Sequence, residues 1–494
     1  MLNMKRLILI TITVLVATAG AYSQNYIDAL RYSQNFYGGT ARSISMGNAF
    51  TSLGADLSAI SINPAGTGMF RSLEISFSPQ LNFNNTSTAF NGNKENDYRY
   101  TFNLPQIGIV GSLISHEGSS GLVNLNIAYS YNQMNLYNEN MTVRGISDSS
   151  SMADYWARKS KDTYYTDLTG AAGIAFDTWL IDTLRNSAGA SYGTVFSHYG
   201  DSTKSVYGQQ ISRVVANDGY KGEHAISVGA NFGNKLFLGA TLGITNIRYT
   251  GHYEHSESDI NNVIDDFKNF SYTNHFDEYG TGYSLKIGAI IRPIDMLRIG
   301  IAYHTPTIYR MHYTFYDNIS STFDDLLKYS SSNETMKYDY TLTTPSRLLV
   351  GASVQVGKLA IVSVDYERVD YTKARFRDGS DGYDFAAENT DIKTFLKAAN
   401  NLRLGAEFRL GSLYLRGGYG LYGNTVSSDL SSQKYSYNSL SGGIGYHKNN
   451  YYIDAAYCTL FSSKDNYYLY DGAGAVATLS TTKNTFTLTI GMKF

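Results

Sequence analysis

The chain has 494 residues and a net charge of -2, with 43 Tyr, 23 Phe and 46 Gly against 6 Pro and 2 Trp. That near-neutral balance leaves no basic face for nucleic acid and no acidic tail, so neither partner class is expected. The single cysteine, Cys458, excludes an intramolecular disulfide framework.

The first element is an address. Lys5 and Arg6 precede the apolar run Leu7 to Ala17, and Ala19-Gly20-Ala21 follows, so residues 1–23 are expected to be a signal peptide cleaved near Ser23 or Gln24. The run falls short of the roughly 20 apolar residues that a spanning helix needs, and no later stretch approaches that length. No cysteine stands beside the cleavage site to carry a lipid anchor.

Residues 24–72 lack sustained alternation and contain small-residue stretches such as Gly38-Gly39-Thr40-Ala41, which predicts a compact plug. Near its end, Asn63-Pro64-Ala65-Gly66 has the chemistry of a tight turn. Asn bonds to backbone at the first position, Pro fixes φ at the second and Gly suits the fourth.

From residue 73 to 494 the dominant signal is period-2 alternation. It is cleanest at the end, where Phe486, Leu488, Ile490, Met492 and Phe494 interleave with Thr485, Thr487, Thr489, Gly491 and Lys493. Counting such runs gives about fourteen strands: 73–84, 97–112, 121–136, 222–233, 235–253, 279–292, 295–315, 338–356, 358–372, 401–410, 412–423, 435–447, 450–462 and 483–494. Each reaches the nine to eleven residues with which a tilted strand crosses an apolar layer.

Tight turns at Gly233-Asn234, 292–295, Gly357, Gly411 and 447–450 alternate with long polar segments at 255–278, 317–337, 373–400, 425–434 and 463–482. This parity predicts an all-β fold, a transmembrane antiparallel β-barrel of about fourteen strands with its N-terminal plug inside. The longest outer loop is expected over 137–221, and within it Leu168 to Leu184 is apolar enough for a short helix. That helix either shields a hydrophobic capture site or packs on the barrel mouth.

With the signal peptide, the plug carrying Asn63-Pro64-Ala65, about fourteen strands and the closing Phe494 in place, the chain resembles the FadL family of outer-membrane channels for long-chain fatty acids and other hydrophobic compounds. The resemblance spans essentially the whole mature chain, and only the plug pattern is locally specific. It implies a barrel plugged by an N-terminal hatch, with substrate captured outside and released past the plug or sideways through the wall. Because the family also includes proteins labelled hemin receptors, the resemblance leaves the substrate open.

Two sets of residues are candidates for that function. Pro79 and Pro105 each remove a ladder donor, and near Pro105 the apolar phase passes from Tyr98, Tyr100, Phe102 and Leu104 to Ile107 and Ile109, so a kink or gap in the wall is expected there. A bulge without a transport role is the alternative. Among the inward charges Lys286, Arg298, His304, Arg347, Arg403, Arg409 and Arg416, the candidates for an anionic head group are Arg298 and Arg403, while Arg403, Glu407 and Arg409 share a face and can pair as a ladder.

His304 and His312 are read as lumen or rim residues, and no HExxH, CxxC or phosphate-cradling loop points to an enzyme, a metal or a cofactor. The expected partners are a hydrophobic small molecule, outer-membrane lipid and lipopolysaccharide, and the barrel assembly machinery. A general diffusion porin and a surface receptor or adhesion barrel, including hemin-type binding, are the rival readings.

Overall fold

The computed structural model describes residues 25–116, 121–184, 189–197, 205–427, 436–462, 464–470 and 475–494, so the expected signal peptide lies outside the described residues. The expected barrel is present: fourteen staves close into one antiparallel sheet. The first three are β1 (Glu74–Phe90), β2 (Asn93–Ser115) and β3 (Leu122–Leu136), and β3 is followed by an inner extension, β4 (Glu139–Ile146). Next come Gln210–Phe232, Leu236–Ser258 and Asn269–Ile294. Two staves are each interrupted once, as Leu297–His304 with Ile308–Thr322 and Met336–Thr343 with Arg347–Val356. Then follow Ala360–Asp370, Ala398–Leu410, Leu413–Tyr422, Tyr437–Lys448, Tyr451–Ser462 and Val476–Lys493. Closure is made by the last stave on the first, from Glu74↔Lys493 to Ala89↔Thr478.

Alternation assigns the two faces. On β1, Ile75, Phe77, Leu81 and Phe83 point outward while Glu74, Ser76, Ser78, Gln80, Asn82, Asn84, Thr86 and Thr88 are buried. An outer wall of exposed Ile, Leu, Val and aromatic side chains, repeated on every stave, is what a lipid-facing surface requires and what water would penalise. No described helix is long and apolar enough to cross a membrane.

Hairpins at one end are tight. Gly233 and Asn234 both take positive φ, +60° and +56°, in the short turn between Phe232 and Leu236, where Lys235 N donates to Phe232 O at 3.1 Å. The opposite end carries the long segments, and there Val143, Trp156, Leu180, Phe196, Ile264, Phe267 and Phe270 build a hydrophobic cap. The helix expected within Leu168–Leu184 is Gly170–Asp177, and its Ile174 and Ala175 are buried in that cap.

The expected loop 137–221 is narrower in the structure. β4 and the first half of Gln210–Phe232 pair with each other from Glu139↔Asn217 to Ile146↔Gln210, which leaves 147–209 outside the wall. Asn217-Asp218-Gly219 looks like a turn in sequence but lies inside a strand. Gly219 sits at φ +141° with the Arg248 carbonyl where a Cβ would be, so glycine here serves close approach of two strands.

Inside the barrel, residues 25–72 form the hatch. Asn25 caps helix α1 (Tyr26–Ser33) in a reciprocal box with Asp28, and Thr40 caps the short helix α2 (Ala41–Ser45). Asn63 accepts from Ala65 N at 3.1 Å and places Pro64 at the start of a 3-10 turn, Pro64–Met69. The hatch reaches the wall because the wall facing it is glycine. A Cβ on Gly239 would overlap Pro64 O, one on Gly288 would overlap Asn63 Oδ1, and one on Gly300 would overlap Thr51 O.

Candidate functional site

The inner wall holds the hatch by charge as well as by shape. Lys221 Nζ donates to Tyr32 O (2.7 Å) and Gln34 O (3.0 Å), Lys286 Nζ to Ser61 O (2.9 Å), and His304 Nε2 lies 2.9 Å from Ile62 O. Arg42 of the hatch reaches Glu407 at 3.0 Å, and Glu407 is shared with Arg416, which continues to Asp454 at 2.7 Å. A buried charge stays buried only when it is paired or fully hydrogen-bonded, and these groups meet that condition through the hatch.

Arg298 and Arg403 fall into this scheme. Arg403 is fully buried, donates to Glu367 at 2.9 Å and lies 5.3 Å from the Tyr37 ring. Arg298 donates to Leu53 O at 3.4 Å and to Gln355 Oε1 at 3.0 Å. Neither reaches the apolar cavity described below. Arg298 thus bonds to one hatch carbonyl and one wall amide, and Arg403 to a wall carboxylate. The anticipated ladder of Arg403, Glu407 and Arg409 is replaced by pairs across strands and to Arg42. His312 lies outside, with Nδ1 2.7 Å from Asp339 and its ring stacked on Tyr279.

At Pro79 and Pro105 the wall is irregular. Ser78 pairs with Gln106 and Gln80 with Asn103, so Leu104 and Pro105 together stand opposite Pro79 in a bulge that accounts for the slipped apolar phase. Beyond the bulge the two sides of β2 part company. Its ladder with β1 continues to Phe90↔Asn93, whereas its ladder with β3 ends at Gln106↔Asn132.

β3 instead bends inward while keeping its pairing with Gln210–Phe232 as far as Leu136↔Tyr220. The bent chain passes across the inner face of β1, where Asn84 donates to Asn138 O at 2.6 Å and Thr88 donates to Thr142 O. The gap left between β2 and the bent chain is spanned by side chains, Asn103 to Gln133, Arg99 to Asp218, and Asp97 accepting from Thr142 N at 2.7 Å. Tyr98, Tyr100 and Phe102 stand exposed along its outer rim.

Behind the bend lies a cavity of about 100 Å³. Phe36, Tyr37 and Ile44 of the hatch line one side, Gln133, Asn135 and Leu136 of the bend another, and Tyr422, Cys458 and Leu460 of the far wall a third. Gln80, Asn82, Asn84 and Lys483 add polar groups. Hatch and bend are joined by main chain, with Phe36 N donating to Met134 O at 2.7 Å and Gly38 N to Gln133 O at 2.8 Å. A larger cavity of about 270 Å³ at the tight-turn end is ionic, lined by Arg42, Asp56, Glu74, Glu407 and Lys493, and suits water better than an apolar guest.

Sequence reasoning missed Lys483, although its place in phase with Thr485, Thr487 and Thr489 marks it as inward. Among the described residues no group of three His, Cys, Asp or Glu is placed to hold a metal ion.

No protein-family model matches the chain, and no curated protein matches it either. Solved structures do. A Pseudomonas aeruginosa FadL homologue aligns with TM-score 0.54 at 12% identity, covering 93% of this chain and 100% of that one. The Pseudomonas putida toluene transporter TodX gives 0.53 at 12% identity over 94% and 100%. The Ralstonia pickettii toluene transporter TbuX gives 0.50 at 14% over 94% and 99%. At such identities the likeness is one of fold, and the structural neighbours of this chain are FadL-family outer-membrane channels.

Proposed function

We propose that this protein is a bacterial outer-membrane channel that passes hydrophobic small molecules, long-chain fatty acids or aromatic hydrocarbons among them, by a passive route. The substrate is captured at the cap, reaches the cavity beside the hatch and leaves sideways between β2 and the bend of β3. In this reading the surroundings are outer-membrane lipid and lipopolysaccharide, and the barrel assembly machinery inserts the chain by its closing strand and Phe494.

The observation that carries the reading is the end of the β2–β3 ladder at Gln106↔Asn132, beside a cavity that combines apolar and aromatic walls with polar groups, as an amphiphile requires. A molecule leaving there moves into hydrocarbon instead of water, and retains the roughly 0.8 kcal/mol per CH2 that its burial is worth. At about 100 Å³ the cavity is smaller than the roughly 150 Å³ that accommodates benzene, so in this reading a passing ring or acyl chain widens it by moving the bend. The hatch packed against wall glycines supports this reading over a general diffusion porin.

Proteoliposomes holding the refolded chain test it. The expected result is selective passage of toluene or laurate with little ion conductance. Free passage of sugars and ions would favour the porin, and no passage of either class would favour a surface receptor built on the cap.

A further inference from the structure

Lys483 differs from most cations of the inner wall in what it holds, and Arg298, which also meets only neutral acceptors, does not line the cavity behind the bend. Lys286 is paired with Glu223 at 2.5 Å, Arg403 with Glu367 at 2.9 Å and Arg416 with Asp454 at 2.7 Å, while Lys221 holds two hatch carbonyls. Lys483 Nζ has three N–H donors and, among the described residues, gives one hydrogen bond, to Leu136 O at 3.2 Å. Glu139 on the bent chain accepts instead from Thr481 Oγ1 at 3.1 Å and Thr86 Oγ1 at 3.4 Å.

Both ends of that bond matter. Lys483 lines the cavity, and Leu136 is the last residue of β3, at the bend that opens the wall. The ammonium therefore ties the bend to the closing strand at the point where an amphiphile would place its head group. We propose that Lys483 is a displaceable latch: the head group of an anionic amphiphile, a carboxylate on an apolar chain, takes the ammonium from Leu136 O and so frees the bend of β3. This rests on the channel reading above and names the substrate class that best fits it.

The exchange is favourable because a carboxylate meets the ammonium with a full negative charge where the Leu136 carbonyl offers only a dipole, a difference that a low-dielectric interior enlarges. The existing bond, at 3.2 Å, sits at the long edge of the normal range. Leu136, Leu460, Cys458 and Ile44 line the same cavity and supply apolar contact for the chain behind the head group. A neutral hydrocarbon gains those contacts and leaves the latch closed.

Full-length protein in detergent, with laurate and 1-dodecanol as probes of equal chain length, tests the idea. Wild type is expected to prefer laurate by roughly tenfold, the size of one charge-assisted hydrogen bond. Lys483→Met should lose that preference while keeping its dodecanol affinity, and Lys483→Arg should restore it.

Amide hydrogen exchange over residues 133–138 separates a latch from a mere binding charge. Laurate, not dodecanol, should accelerate it in wild type, and Lys483→Met should exchange fast without ligand. A laurate preference that survives in Lys483→Met, or exchange unmoved by laurate, overturns the latch while the channel reading stands. Failure of folded wild type to bind either probe overturns both. Should Lys483→Met lack the heat-modifiable mobility of a folded barrel, Lys483→Gln against Lys483→Arg makes the same comparison.

Discussion

Gly38 of the hatch donates its N–H to the carbonyl oxygen of Gln133 at 2.8 Å, at the start of the inward bend of β3. A side chain there has little room, since a Cβ would meet Gln133 O at 3.1 Å and Pro105 Cβ at 3.3 Å. Gly38→Val should therefore push hatch and bend apart, at a cost of about 1–3 kcal/mol for overpacking. The barrel is expected to keep its heat-modifiable mobility while entry of an apolar probe into cells changes rate. An unchanged rate would mean that the hatch does not govern the bend.

The hatch itself is tested at Gly288, whose Cβ would overlap Asn63 Oδ1. Gly288→Leu should displace the Asn63-Pro64 turn and open the bore, seen as a rise in single-channel conductance in planar bilayers. Gly417 is the control, because a Cβ there meets nothing within 4 Å, so Gly417→Ala should leave conductance and stability at wild-type levels.

Arg403 tests the division between structural and ligand-binding charge. Removing it leaves Glu367 with Arg347 alone, and breaking a buried ion pair costs about 3–5 kcal/mol. Arg403→Ala is expected to lower the thermal unfolding midpoint markedly and to leave the ratio of laurate to dodecanol binding unchanged. Arg298→Ala should act in the same sense with a smaller stability loss, since its bonds are longer. A collapse of laurate binding in either folded variant would return the head group to these arginines.

Much of this architecture is written locally. Lipid on one side and an enclosed interior on the other force a period of two, so Phe486, Ile490 and their counterparts betray each stave. The hairpin glycines reveal which connections are short. Pro79, Pro105 and the slipped phase between Phe102 and Ile107 locate the bulge for the same reason, because backbone pairing there is a local property.

What escapes the sequence is anything fixed across the barrel. The partners Arg42 and Glu407 lie 365 positions apart, and no spacing rule links them. Alternation marks Lys483, Arg298 and Arg403 alike as inward, but it does not say which of them the hatch leaves uncommitted. The bend of β3 is equally silent, since Gln133, Met134, Asn135 and Leu136 contain no breaker. Their departure from β2 is imposed by the hatch segment at Phe36–Gly38 and by β1 beneath them. Asn217-Asp218-Gly219 misleads in the opposite direction, offering turn chemistry that tertiary strand pairing overrides.

The most direct test of the lateral route is to pin the gap shut. Asn103 and Gln133 hydrogen-bond across it, so cysteines at both positions, with Cys458 replaced by Ser, can be joined by a short thiol cross-linker in intact cells. Entry of laurate or toluene should fall roughly tenfold or more on cross-linking, an added barrier of about 1.4 kcal/mol or greater, and recover when a cleavable linker is reduced. Undiminished entry with the gap fully cross-linked would contradict the account, and would place the exit through the hatch instead.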